Sequence, residues 1–380
     1  MKRKKILYVY GGLYIPNGMN AIISQKINYL ADNTDYELYV SLTERPELPH
    51  YYRLSDKVKW VNFDINFDVL DTMPLYKKIW KYWWKQRQFK KKLTDFMMDL
   101  RPDITISVTR REINFLPQIH DGSKKIAEIH FARPYYRKFE KRILPKFVNE
   151  WISHVWMNNL LDKLRLMDRF VVLTQEDSHN WPELENIVVI PNFVDMTYSQ
   201  LSDVSFKKAI AVGRYSWQKG FDLLINAWEL VHKRYPEWQL DIYGGGDNDS
   251  YQKLADDKNL ASVVICHPAV KDISEKYIGS SMFVLSSRYE GFGLVLVEAM
   301  GAGLPVVSFA CPCGPRDIIE DGKCGILVES GNVNRLADGI CSLIENESLR
   351  KSMGKEAVKR AKTFTKEDIM PKWISLFESL

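Results

Sequence analysis

The segment 286–308 constrains the fold more than any other part of the chain. It follows a short apolar run, 282–285, that has the length of a buried strand, and it passes through a polar turn into an apolar helix that ends near Gly301. Residues 305–307 then begin another strand-like run. Strand, loop, helix and strand in this order form the repeating unit of a parallel sheet. The chain is therefore predicted to be an α/β protein.

Glycines and two carboxylates occupy the turn into this helix. Gly291 and Gly293 leave room for an anion to approach the first helical N–H groups, which carry a partial positive charge. Glu290 and Glu298 bracket the turn, and ionised carboxylates accept hydrogen bonds from sugar hydroxyls. The pattern suggests a phosphate flanked by two sugars. Taken alone, however, this spacing is more often that of a capped amphipathic helix with one solvated glutamate.

Two cations follow the strand-like run 208–212. Arg214 and Lys219 lie in the string GRYSWQKG, between Gly213 and Gly220. An arginine fork and a lysine point charge on one glycine-bounded loop can neutralise a diphosphate without a metal. An exposed arginine and lysine beside a turn are also ordinary surface residues.

Length and charge favour two domains of different character. The 380 residues suffice for two α/β domains, and the net charge is +7 over 1–200 but −2 over 201–380. The five cysteines match no zinc pattern and indicate reduced thiols in a cytosolic protein. Asp247 and Asp249 follow a glycine turn and are interpreted as capping and turn residues, not as a metal pair. Glycines and Glu298 interrupt the longest apolar stretches, so no signal peptide or transmembrane helix is expected.

The strings GRYSWQKG and RYEGFGLVLVEAMGAGLPVV resemble glycosyltransferase family 4, the retaining enzymes of the GT-B fold, and PNFVD at 191–195 resembles another family motif. The resemblance implies two Rossmann-like domains that face a central cleft, with a C-terminal helix that crosses back to the first domain. The expected first domain comprises 1–196 and 366–380. A linker at 197–206 then leads to a nucleotide-sugar-binding domain at 207–365.

The resemblance also implies a reaction and roles for single residues. It predicts retaining transfer of a hexose or N-acetylhexosamine from a nucleoside-diphosphate sugar, with UDP expected, and no metal or other cofactor. Glu298 is expected to hold the donor ribose, Glu290 the transferred sugar, and His130, at the end of a predicted strand, to lie near the reacting sugar. The catalytic set is then His130, Arg214, Lys219 and Glu290. The expected donor site comprises Gly12, Gly213, Arg214, Lys219, Gly244, Glu290, Gly291, Phe292, Gly293, Leu294 and Glu298.

Residues 77–92 contain eight basic residues, no acidic residue and several interleaved aromatic residues. This composition is typical of a helix at a membrane interface. A nucleic-acid surface would look similar, and so would a solvated helix whose aromatics pack on their own domain. A second basic and aromatic stretch, 133–146, supports the membrane interpretation. The predicted acceptor or membrane residues are Lys81, Trp83, Trp84, Lys85, Arg133, Tyr135 and Arg137.

These features lead to one hypothesis and three alternatives. The hypothesis is a protein on the inner face of the cytoplasmic membrane that elongates a lipid-linked saccharide in the synthesis of a bacterial surface polysaccharide such as capsule or O-antigen, without nucleic acid as a partner. A sugar-nucleotide epimerase would share the site. A non-catalytic nucleotide-sugar-binding protein is disfavoured by the complete set of charged residues. A nucleic-acid binder would leave the second domain unexplained.

Overall fold

The computed structural model describes residues 3–136, 145–195, 198 and 200–380. The chain forms two compact units. The first comprises Met1–Val172, Ser178–Ile190 and Met370–Leu380, and the second comprises Leu173–Asp177 and Pro191–Ile369.

The first unit is built on a seven-stranded sheet in the order β3-β2-β1-β4-β5-β6-β7, and its strands pair in parallel. The central strand β1 is apolar and fully buried from Ile6 to Val9, as expected for a parallel strand with both faces covered. The strands are β1 (Lys5–Val9), β2 (Glu37–Leu42), β3 (Lys59–Asn62), β4 (Ile104–Ser107), β5 (Lys124–Glu128), β6 (Arg169–Val172) and β7 (Ile187–Val189). The helices are α1 (Gly18–Asn33), α2 (Leu75–Leu100) and α3 (Lys146–Leu164). The short helix α4 (Gln175–His179) contains the point, after Asp177, where the chain passes from the second unit back to the first. Short 3₁₀ turns lie at Phe67–Leu70, Glu112–Asn114, Leu116–Gln118 and Arg133–Tyr135.

The second unit contains a six-stranded parallel sheet in the order β10-β9-β8-β11-β12-β13. Its strands are β8 (Lys208–Val212), β9 (Gln239–Gly244), β10 (Val264–Pro268), β11 (Met282–Leu285), β12 (Val306–Phe309) and β13 (Gly325–Val328). Its helices are α5 (Phe221–Arg234), α6 (Asn248–Asp256), α7 (Ser274–Ile278), α8 (Leu294–Gly301), α9 (Pro315–Ile318), α10 (Val333–Glu345) and α11 (Glu347–Ala361), with 3₁₀ turns at Trp217–Lys219 and Lys362–Phe364. The strand order reverses between β8 and β11. In an open α/β sheet, ligands bind beyond the carboxyl ends of the strands at such a point.

The last helix, α12 (Lys366–Glu378), returns to the first unit. Lys4 donates from Nζ to the carbonyl oxygen of Phe377 at 2.8 Å. The Lys26 ammonium lies 3.9 Å from the centre of the Trp373 ring, which is buried. The predicted two Rossmann-like units and the returning C-terminal helix are therefore confirmed. None of the helices in the described ranges combines the length and the apolar composition of a transmembrane span.

Candidate active site

The loop between β8 and α5 places Lys219. A Cβ atom added to Gly213 would lie 3.1 Å from three side-chain carbons of Lys219, so the aliphatic part of the lysine lies flat on this glycine. Gly220 has a φ of 62°, and a Cβ there would lie 2.1 Å from the carbonyl oxygen of Ser286. Only glycine fits this left-handed backbone at so close an approach. The sequence therefore folds so that Lys219 faces the loop that follows β11.

Lys219 and Glu290 form the charged centre of this region. Nζ of Lys219 lies 2.7 Å from Oε1 of Glu290, and both side chains are largely buried. Ser287 donates to the same carboxylate oxygen at 2.6 Å. The two predicted residues are thus brought into direct contact, with a serine that the sequence analysis did not identify.

A second ion pair holds the two loops together. The guanidinium of Arg288 donates to both carboxylate oxygens of Asp222, at 2.9 and 2.7 Å, and to the carbonyl oxygen of Trp217 at 2.6 Å. The amide nitrogen of the Gln218 side chain donates to the carbonyl oxygen of Tyr289 at 3.1 Å. These bonds fix the loops that carry Lys219 and Glu290 without using either residue. The sequence offered no local signal for them, because the paired residues are far apart in the chain.

The amino terminus of α8 lies beside this charged centre. Gly293 caps the helix with a φ of 97°, and a Cβ there would lie 3.9 Å from Cγ of Glu290. Phe292 is buried, whereas Gly291 and Leu294 are partly exposed. The first N–H groups of a helix have no partner within it and attract negative charge. The helix terminus and Lys219 therefore offer two sources of positive potential next to one carboxylate.

Glu298 lies further along α8 and is partly buried. The Tyr277 hydroxyl donates to its Oε2 at 3.2 Å. Burial raises the pKa of Glu298, and the Tyr277 hydrogen bond and the Lys219 charge oppose that rise only in part. The Lys219 charge thus acts on Glu298 as well as on Glu290, so Lys219, Glu290 and Glu298 belong to one electrostatic cluster.

Arg214 differs from Lys219 in its surroundings. Its side chain is exposed, and within the described part of the chain its guanidinium has no ion-pair partner. Gly244 lies behind it, where an added Cβ would be 1.7 Å from the carbonyl oxygen of Gly213 and 3.6 Å from Cα of Arg214. Asp247 caps α6 by accepting from the Ser250 amide at 3.1 Å, which confirms its predicted capping role.

The remaining predicted residues of the catalytic and donor sets belong to the first unit. His130 follows β5, and its Nε2 lies 3.0 Å from Oε1 of Glu128, which is also paired with Lys26. Burial alone would raise the pKa of Glu128, but Lys26 and His130 outweigh it and bring the pKa to about 2. Gly12 lies in the loop after β1, where an added Cβ would be 2.7 Å from the Tyr14 ring.

The first unit also contains a cavity that the sequence analysis did not predict. Its volume is about 740 Å³, and it lies beyond the carboxyl ends of β1 and β2. Trp60 is 54% exposed on its wall, and the His50 ring packs edge-on against the indole at 4.7 Å. The backbone N–H of Tyr51 donates to the carbonyl oxygen of Leu13 at 2.8 Å and connects one wall to the loop after β1. Its lining includes Tyr14, Glu44, Arg45, His50, Arg53 and Trp60. An exposed indole surrounded by charged and polar groups can bind a sugar ring.

The structure places the predicted membrane residues in different settings. Lys81, Trp83 and Trp84 are exposed on α2, but the Lys85 ammonium donates to the carbonyl oxygen of Ile65. Arg133 forms a two-pronged ion pair with Glu183 and stacks over Trp181 at 4.8 Å, and Tyr135 is partly exposed. Arg137 lies outside the described residues. Of the predicted membrane residues that the structure describes, only Lys81, Trp83 and Trp84 are therefore exposed.

Comparisons with known proteins agree with this arrangement. Residues 199–360 match the family model described as glycosyl transferases group 1. An uncharacterised glycosyltransferase of Haemophilus influenzae is 32% identical over 54% of this chain and 60% of its own length. The poly(ribitol-phosphate) alpha-N-acetylglucosaminyltransferase of Staphylococcus aureus is 33% identical over 58% of this chain and 46% of its own length. The amylovoran biosynthesis glycosyltransferase AmsD of Erwinia amylovora is 33% identical over 55% of this chain and 61% of its own length. The matches thus span roughly half of this chain and about half of each relative.

Solved structures extend the likeness to the whole chain. The sucrose-phosphate synthase of Thermosynechococcus elongatus superposes with a TM-score of 0.81 at 17% identity, covering 99% of both chains. TarM superposes with a TM-score of 0.77 at 19% identity, again over 99% of both. At these identities the likeness shows the fold alone, and it confirms the predicted GT-B class. The motifs of the second unit and the match of residues 199–360 to the glycosyl transferases group 1 model confirm the resemblance found in the sequence.

Proposed function

We propose that this protein is a retaining glycosyltransferase that moves a hexose or N-acetylhexosamine from a UDP-sugar to a hydroxyl of a saccharide acceptor. The observation that carries the proposal is the Lys219–Glu290 pair at 2.7 Å beside the amino terminus of α8. A lysine and a helix terminus suit a diphosphate, and a carboxylate beside them suits sugar hydroxyls. Relatives named as glycosyltransferases of surface polymers support the reaction class.

In the proposed mechanism, the donor binds through charge. Arg214, Lys219 and the amides at 292–294 bind the diphosphate and stabilise the negative charge that grows on it as the glycosidic C–O bond breaks. Glu298 accepts hydrogen bonds from the ribose hydroxyls, and Glu290 accepts them from the transferred sugar. No metal ion is required by this scheme. The solved structures of Staphylococcus aureus TarM and of Anabaena HepE in complex with UDP support uridine as the base.

Transfer is proposed to occur on one face of the sugar. The acceptor oxygen forms the new bond to the anomeric carbon, and the departing phosphate oxygen takes the acceptor's proton. His130, held near Glu128, positions the transferred sugar. Glu290 could serve instead as a nucleophile in a double displacement. Its contacts with Lys219 and Ser287 favour the hydroxyl-binding role, because both donors reduce the nucleophilicity of the carboxylate.

The acceptor is proposed to be a lipid-linked saccharide that binds in the cavity of the first unit. The exposed Trp60 ring provides a stacking surface for a sugar, and the charged lining residues suit its hydroxyls. The cationic and aromatic α2 is proposed to hold the protein at the inner face of the cytoplasmic membrane, where such acceptors for capsule or O-antigen are assembled.

Calorimetric titration with UDP, GDP, ADP and their sugars tests the proposal. Wild-type protein is expected to bind one nucleotide saturably, and Arg214→Ala and Glu298→Ala are each expected to weaken that binding at least about tenfold. Arg335→Ala is the matched control, because Arg335 is an exposed arginine of the same unit outside the site. Absence of nucleotide binding would refute the transferase assignment. A UDP-sugar that changes configuration without acceptor, observed by NMR, would instead identify an epimerase.

A further inference from the structure

Helix α3 exposes an apolar stripe that the sequence analysis did not identify. Phe147 is 71% exposed, Trp151 66% and Val155 47%. Their spacing of four residues puts them on one side of the helix. The buried residues of α3 are confined to its last turns, at Leu160, Leu161 and Leu164. The amino-terminal half of α3 thus presents large apolar side chains to solvent.

The amino-terminal half of α2 is exposed in the same way. From Tyr76 to Trp84 its residues are almost all exposed, with Trp80 at 67%. The first residue of α2 that is described as buried is Phe89. Among the residues that the structure describes, half of the exposed large hydrophobic side chains lie on α2 and α3. Monomeric soluble proteins rarely group such side chains, so this concentration indicates an interaction surface.

Both helices contact one short segment of the first unit. The Gln86 side chain on α2 donates to the carbonyl oxygen of Arg111 at 2.7 Å, and the adjoining Glu112–Asn114 turn packs against α3. The exposed parts of α2 and α3 thus belong to helices that pack on adjoining residues of the same unit.

We propose that exposed residues of α2 and α3 form one docking surface for an anionic lipid bilayer. Phe147, Trp151 and Val155 enter the acyl boundary, while Lys77, Lys81 and Trp83 contact the headgroups. This inference deepens the proposed function, on which it rests only for the expectation of a membrane-borne acceptor. It assigns insertion into the membrane to α3, which contains none of the residues that the sequence analysis predicted to contact the membrane.

Charge and composition favour a bilayer over other partners. The cationic stretch 77–92 has no acidic residue, so it complements anionic headgroups, and tryptophan is enriched at membrane interfaces. Two copies of this chain meeting at the same surface would bring two cationic helices together, which costs free energy. A nucleic acid would contact the basic residues of α2 but would gain little from the apolar stripe of α3.

Site-specific fluorescence tests the surface directly. All five native cysteines are buried, so the dye NBD can be attached selectively to Trp151→Cys, with Phe206→Cys as the control. Phe206 is an exposed aromatic residue of the second unit, just before β8 and outside both the proposed membrane surface and the proposed binding sites. Vesicles of phosphatidylcholine with phosphatidylglycerol are expected to shift the emission of the Trp151→Cys conjugate to the blue and to leave the control unchanged.

Flotation of unlabelled variants with the same vesicles tests the energetics. Trp151→Ala is expected to raise the lipid concentration for half-maximal binding about tenfold at low and at high salt. Lys77→Glu with Lys81→Glu is expected to do so only at low salt, because salt screens exposed charges. Failure of wild-type protein to bind vesicles, or an unshifted Trp151→Cys conjugate on bound protein, would overturn the proposal. So would a dimer in sedimentation that Trp151→Ala dissociates. Calorimetry with UDP gives an independent result for the catalytic proposal.

Discussion

The ion pair between Lys219 and Glu290 predicts an uncommon outcome for a substitution inside a binding site. In the structure the lysine is already bound to a carboxylate at 2.7 Å, so a diphosphate has to share it. Glu290→Gln removes the competing charge but keeps the size of the side chain and an oxygen that can accept from Ser287. We therefore expect this variant to bind UDP more tightly than the wild type while it transfers sugar more slowly.

The size of both effects follows from the contacts. A hydrogen bond to a charged group contributes about 1.5–3 kcal/mol, and a neutral acceptor retains roughly half of that. About 1 kcal/mol of the Lys219 interaction is then released to the diphosphate, which corresponds to roughly fivefold tighter UDP binding. Transfer loses one carboxylate contact to a sugar hydroxyl, so its rate is expected to fall about 10–100-fold.

Calorimetry with UDP alone measures the first effect, and release of UDP from the UDP-sugar with acceptor measures the second. Glu229→Gln is the matched control, because Glu229 pairs with Lys233 at 3.0 Å and Lys258 at 2.8 Å in the same unit but away from the site. It is expected to change neither quantity. If Glu290→Gln weakens UDP binding, the carboxylate orients Lys219 for the phosphate instead of competing with it, and the reasoning is refuted.

Four further predictions concern other residues of the two units. Lys26→Met is expected to lower the free energy of unfolding by about 3–5 kcal/mol in thermal denaturation, because the substitution leaves the Glu128 charge buried without its lysine. Adding Glu128→Gln to this variant should restore most of the lost stability. Since the pKa of Glu128 is about 2 in the folded protein and ordinarily 4.5, its ionised form stabilises the protein above about pH 4.5. That contribution is lost as the pH falls toward 2, and Glu128→Gln should flatten acid denaturation in this range. Gly244→Ala is expected to abolish UDP binding in calorimetry, since its Cβ would lie 1.7 Å from the carbonyl oxygen of Gly213. Trp60→Ala is expected to raise the KM for acceptor about tenfold without changing UDP affinity, as measured by initial rates and calorimetry.

Local patterns predicted the parts of the structure that depend on neighbours in sequence. The unit β11, α8 and β12 was predicted to within two residues, because apolar runs and glycines mark its boundaries. The loops that carry Lys219 and Glu290 were placed for the same reason. By contrast, β10 was not predicted, although the apolar run 263–266 leads into it. This edge strand alternates in burial and ends in His267 and Pro268, which blurs the pattern.

Contacts between distant residues could not be predicted from one sequence. Lys26 follows the pattern of a surface lysine in an amphipathic helix, yet it is fully buried against Glu128, 102 residues away. Its burial depends on Trp373, which covers it only after the last helix has packed. The Arg288–Asp222 pair likewise joins a loop to the first turn of α5, across 66 residues of sequence. Each pair forms only when complete helices and strands pack together. No motif spacing in the sequence therefore predicts it.

The two cations that the sequence presents as equivalent are not equivalent in the structure. Lys219 is held by Glu290 and by its contact with Gly213 before any ligand arrives. Arg214 is exposed and, among the residues described, lacks an ion-pair partner, so it loses conformational entropy of about 0.5–1.5 kcal/mol when it binds a phosphate. Lys219 instead loses part of an existing ion pair. On the proposed function, we therefore expect Arg214 to attract the diphosphate from solution and Lys219 to place it beside Glu290 and Glu298.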